Sequence, residues 1–115
     1  MTFHKYMRSQ FRQNHMKIRD VARASGISES YLYKIVAGLK HVSVRDYVIA
    51  ICRAAGMDLT RTQWALEING MVPLNRGNQR DACIIRCIND NRNIRMLNQS
   101  LEDEGLTELK VRRDA

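Results

Sequence analysis

Between Ile18 and Gly38 the chain reads IRDVARASGISESYLYKIVAG, two short amphipathic segments separated by Gly26-Ile27-Ser28. The segments run over Ile18–Ser25 and Glu29–Ala37. Ala22, four residues before the glycine, is small enough for two helices to cross closely. Gly26 accepts the positive φ of a tight turn between helices. Ile27, Leu32 and Ile35 then fall beneath the second segment as core. This is the spacing of a helix-turn-helix, a pair in which the first helix supports the second and leaves one face of it outward. Several positions have to agree at once, so the pattern constrains the chain more than any other stretch of it.

The rest of the sequence extends the helical pattern in both directions. Phe3, Met7 and Phe11 recur every fourth residue with Lys5, Arg8 and Arg12 between them, which predicts a first helix over about residues 2–14. Ser28 suits the N-cap of the third helix, and Gly38 stands where a terminating glycine is favoured. Ser43 and Asp46 have the spacing of a capping box and predict a fourth helix with Val44, Tyr47, Val48, Ile51, Cys52 and Ala55 on one face, ending at Gly56. Thr60 and Gln63 repeat the box for a fifth helix with Trp64, Ala65 and Ile68 inward, stopped at Gly70. Met71–Gly77 contains the only proline, Pro73, and reads as a connector. Asn78 with Asp81 caps a sixth helix over Gln79–Ile88, apolar around most of its circumference. A seventh, over about 92–104, presents Ile94, Leu97 and Leu101. The tail from Thr107 is polar and is expected to fray. There is no internal repeat and no low-complexity segment.

Composition sets the class. At 115 residues, 44% apolar and 27% charged, the chain supports one core of ordinary size, all-α given the scarcity of alternating β-branched runs. The start, MTFHKYMRSQFRQ, has no continuous apolar stretch of the secretory kind, and no segment has the apolar length of a membrane span, so a cytoplasmic protein is expected. Cys52, Cys83 and Cys87 are an odd set best read as small apolar core residues. Cys83 and Cys87 lie one turn apart, but His4, His15 and His41 are scattered, so neither a metal nor another cofactor is expected. Nothing points to a small-molecule effector. With no phosphate-cradling glycine loop and no nucleophile near a histidine and an acid in sequence, an enzyme is not expected.

Charge is unevenly placed. Residues 1–46 carry nine Lys/Arg against three Asp/Glu, a net of +6, while residues 47–115 contribute +1. The positive excess therefore lies on the segment with the helix-turn-helix, where attraction to phosphates would require it.

Over about residues 3–69 the pattern resembles the phage-repressor family of helix-turn-helix proteins (Cro-like, or xenobiotic-response-element). Ala22, Gly26, Ile27, Leu32, Ile35 and Gly38 stand on its signature positions, and VRDYVIAICRAAGMDL from Val44 resembles its closing helix. The remainder resembles an extension found on small regulators of clostridia-like bacteria. The resemblance implies a five-helix lambda-repressor-like DNA-binding domain over residues 1–70, with a two-helix extension over 71–115 that packs on it or mediates dimerisation. It also implies that the outward face of the third helix reads bases through Glu29, Ser30, Tyr33 and Lys34. Lys17, Arg19, Ala37, Lys40 and His41 would hold the backbone. Lys34 can donate to guanine, Glu29 can accept from cytosine, and Ser30 can do either.

The function expected is a sequence-specific, repressor-type transcriptional regulator that binds a palindromic operator in double-stranded DNA as a homodimer. The apolar excess of residues 82–88 and 94–101 is the expected place for the second copy. The rival reading keeps the scaffold but binds another regulator as a protein-interaction module. It is favoured by Glu29 and by the lack of Gln, Asn or Arg at the front of the third helix.

Overall fold

The computed structural model describes residues 1–111, and every regular element among them is a helix. In chain order these are α1 (Phe3–Gln13), α2 (Ile18–Ser25), α3 (Glu29–Val36), α4 (Arg45–Ala54), α5 (Leu59–Ile68), α6 (Gln79–Asn89) and α7 (Ile94–Asp103). One hydrophobic core runs through all seven, from Tyr6 on α1 to Leu109 beyond α7. Among the described residues no helix is long and apolar enough to cross a membrane.

Local chemistry accounts for most of the boundaries. The Ser28 side chain accepts from the Tyr31 N–H at 3.2 Å and starts α3. Asn78 does the same for α6 and Asn93 for α7, each at 2.9 Å. Gly26 ends α2 at φ +79°, and its N–H returns to the Ala22 carbonyl. Ile27, Leu32 and Ile35 are buried under α3, so the break and its apolar anchors form one unit.

Helix α4 is the axle of the molecule. From Tyr47 to Arg53 every residue is buried, with α2, α5 and α7 packed against it. A helix with no solvent face needs polar partners at its ends, and α6 supplies them. Arg45 of α4 makes a bidentate bridge to Asp81 of α6, at 3.0 and 2.8 Å. Arg80 of α6 returns one to Asp46 of α4, at 3.1 and 3.0 Å. At the other end Arg53, 7% exposed, donates to the Ile88 carbonyl and to Asn91. The two helices thus run in the same direction, joined at both ends. An Arg-Asp dipeptide lies in the first turn of each of them.

Several expectations need correction. Helix α4 starts on Val44 with no side-chain cap, because Asp46 is engaged by Arg80 and by the Lys110 N–H, and Ser43 is left exposed. The α5 cap is Asp58, not Thr60, and it accepts from both the backbone and the guanidinium of Arg61. Helix α5 turns Thr62, Ala65 and Leu66 inward, which leaves Trp64 and Ile68 exposed on its outer side. Gln63 pairs with both backbone groups of Leu74 and so holds the connector. The tail does not fray within the described residues. Arg80 donates to the Thr107 and Glu108 carbonyls, Asn98 accepts from Leu109, and Leu109 is buried. Most apolar residues of α6 and α7, among them Ile84, Ile85, Leu97 and Leu101, lie inside their own chain, while Met96 on α7 stays 44% exposed. All three cysteines are free and buried, and burial pushes the Cys52 thiol up to about 12.

Asp81 is the keystone of the α4–α6 junction. Burial raises the pKa of its carboxyl, but Arg45, the Asn75 N–H and Arg80 outweigh that and hold it below the ordinary carboxylate value. Asp81→Asn should cost about 2–3 kcal/mol at neutral pH, because charge-assisted bonds are weakened while Arg45 keeps the Val72 and Pro73 carbonyls. A depressed folded pKa stabilises above the unfolded value of about 3.9 and ceases to do so as pH falls through the folded one. Urea denaturation from pH 7 to 3 should therefore show the gap between wild type and variant closing in acid. Parallel curves would contradict this assignment.

Candidate nucleic-acid interface

Helix α3 has a buried side and an outward ridge. Leu32, Ile35 and Val36 are buried, whereas Glu29, Ser30, Tyr33 and Lys34 are all exposed. Tyr31 lies between the two and meets Tyr47 of α4 edge-on, with ring centroids 6.0 Å apart, which fixes the rotation of α3 about its axis.

The sequence-predicted residues sort themselves around this ridge. On one flank, a concavity of about 830 Å³ is lined by Ser28, Ser30, Tyr31, Lys34, Lys40, His41 and Ser43. It brings together two expected base readers and two expected backbone holders. On the other flank a concavity of about 430 Å³ has an apolar floor of Phe11, Met16, Ile18 and Val36, and it is edged by Lys17, Tyr33 and Ala37. Arg8 and Arg12 of α1 also line it. At the front of the ridge, Arg19 and Arg23 share a third depression with Glu29. Arg8, Arg12 and Arg23 were not singled out from the sequence. For the first two, the signal was available in their i, i+4 spacing on the side of α1 away from its core stripe.

Ion pairing differs between the two halves of the chain, although Arg76, Arg95 and Lys110 of the second half also pair with no carboxylate among the described residues. Among the described residues, Lys5, Arg8, Arg12, Lys17, Arg19, Arg23, Lys34 and Lys40 take part in no ion pair. Arg45, Arg61, Arg80, Arg86 and Arg92 each pair with an aspartate or glutamate. Arg80, which a phosphate could have claimed, is taken by Asp46. The amino-terminal cations are therefore both more numerous than the nearby acids and unneutralised. Among the described residues no group of three or more His, Cys, Asp or Glu side chains converges as a metal site would.

No protein-family model matches the chain, and neither the curated proteins nor the solved structures contain a match. The chemistry of the face rests on its own residues.

Two glycines bracket the ridge, and they should respond differently to substitution. Gly26 and Gly38 have φ of +79° and +78°. A Cβ on Gly26 would meet nothing within 4 Å, whereas one on Gly38 would sit 2.9 Å from two atoms of the His4 ring. Gly26→Ala should cost about 1–2 kcal/mol from backbone conformation alone, and Gly38→Ala more. Replacing His4 by Ala should bring the Gly38→Ala cost down to the Gly26→Ala level. Equal costs in the wild-type background, measured by chemical denaturation, would show that the His4 contact does not matter.

Proposed function

We propose that the chain is a sequence-specific DNA-binding regulator. In this reading α2 and α3 form a helix-turn-helix of the lambda-repressor-like kind, and α6 and α7 are an extension that buttresses α4. The observation that carries the reading is the set of unpaired cations gathered around the exposed ridge of α3. A partner rich in phosphate would supply the missing counter-charges. An eight-residue helix with Glu29, Ser30, Tyr33 and Lys34 outward supplies donors and acceptors for base edges, while the flanks fix register on the backbone.

A single half-site discriminates weakly, so the regulator acts as a dimer on a palindrome. Because most apolar side chains of α6 and α7 are internal, the second copy is assigned to the outer side of α5 and the connector. There Trp64, Ile68 and Val72 are exposed at 54%, 37% and 71%. The second reading, a scaffold that binds another regulator, is favoured by the exposed Glu29 carboxylate at the front of the ridge.

Selection of genomic fragments by the purified protein would yield an operator, and three substitutions then separate the roles. Lys34→Ala should cost about 1–3 kcal/mol on that operator and relax preference at one base pair. Arg19→Ala should weaken operator and scrambled duplexes alike and reduce the salt slope by about one. Glu29→Gln should raise non-specific affinity while blurring specificity, since a carboxylate near phosphate repels unless it accepts from a cytosine. Fluorescence anisotropy on both duplexes reads all three. If none of them moves DNA affinity, the protein-partner reading takes over.

A further inference from the structure

We infer that the groove between α1 and α3 is a second phosphate-binding site, in which Arg8 and Arg12 hold the DNA strand opposite the one held by Lys40 and His41. The inference rests on the DNA-binding reading and deepens it. A helix with its side chains is about 10–12 Å across, close to the roughly 12 Å width of the major groove. A ridge seated there has one sugar-phosphate strand on each side. Lys40 and His41 lie on one flank of α3, and Arg8, Arg12 and Lys17 on the other. The two basic flanks therefore address different strands.

The groove is built for long cationic side chains. Its floor, with Phe11 and Val36 buried and Met16 and Ile18 partly so, suits the aliphatic stems of arginines whose guanidinium ends stay in water. Arg8 and Arg12 are exposed, form no ion pair among the described residues, and share the groove with no carboxylate. They are one turn apart on α1, a rise of about 6 Å, so they reach successive positions along a strand. Their guanidiniums are matched to phosphate oxygens by geometry as well as charge. Tyr33, which edges the same groove from the ridge, joins this flank to the base-reading face.

The test uses the full chain with Arg8→Ala, Arg12→Ala, the double variant, and Arg8→Lys/Arg12→Lys as the charge-conserving control. Both arginines are exposed and unbonded internally, so the variants should keep the wild-type helical signal and melting behaviour. Each alanine should weaken operator and scrambled duplexes equally, by about fivefold near 0.15 M salt, and lower the salt slope by about one. The lysine pair should retain the slope. Phosphate-ethylation interference with the wild type should map to both strands within each half-site, and the double alanine variant should weaken it on one strand of each half-site. An unchanged slope in the double variant, or wild-type interference confined to one strand within each half-site, would overturn the second site and leave the DNA-binding reading standing. A wild-type protein that binds no duplex at low salt would overturn both.

Discussion

Helix α4 is buried from Tyr47 to Arg53, and the rest of the molecule is arranged around that fact. Covering it takes α2 and α5 together with α7, so the amino-terminal helices alone would leave part of it wet. The C-terminal helices close that face and bring their own apolar residues into the same core. Polar groups at the ends of such a helix are costly unless partnered. The crossed Arg45–Asp81 and Arg80–Asp46 bridges, with Arg53 on the Ile88 carbonyl at the far end, meet that demand.

This division of labour has an electrostatic consequence. Among the described residues, arginines from 45 onward are engaged within the chain except Arg76 and Arg95, while those before it face outward and form no ion pair. Net charge alone would not separate a solvated basic surface from a binding face. The clustering of unpaired cations on both flanks of one exposed helix does favour the second. It also gives the Tyr31–Tyr47 contact a role, since the rotation of α3 decides which side chains the ridge presents.

Features governed by neighbours in sequence were legible before the structure. Ser28 and Asn78 as caps and Gly26 and Gly38 as terminators act over three or four residues. The burial of Ile27, Leu32 and Ile35 followed from the same local spacing. Features governed by distant partners were not. Asp46 has the spacing of a cap residue with Ser43 but is drawn to Arg80, 34 positions away. Trp64 is apolar enough for a core, yet α5 is registered by Thr62, Ala65 and Leu66. The polar tail is held by side chains of α6, α4 and α7 that no local rule connects to it. At the candidate site, Ser30, Lys34, Lys40 and His41 do meet in one concavity. The spacing of Arg8 and Arg12 puts them on one outward side of α1, but that this side flanks α3 depends on packing between distant segments.

The most direct test of the account is residue-level amide mapping of the full chain during titration with a short duplex at low salt. Perturbation should concentrate on residues 8–12, 17–19 and 28–41, leave the α6–α7 pair unmoved, and fade as salt is raised. Perturbation centred on Trp64 to Val72 with the α3 ridge silent, or none at all, would contradict it.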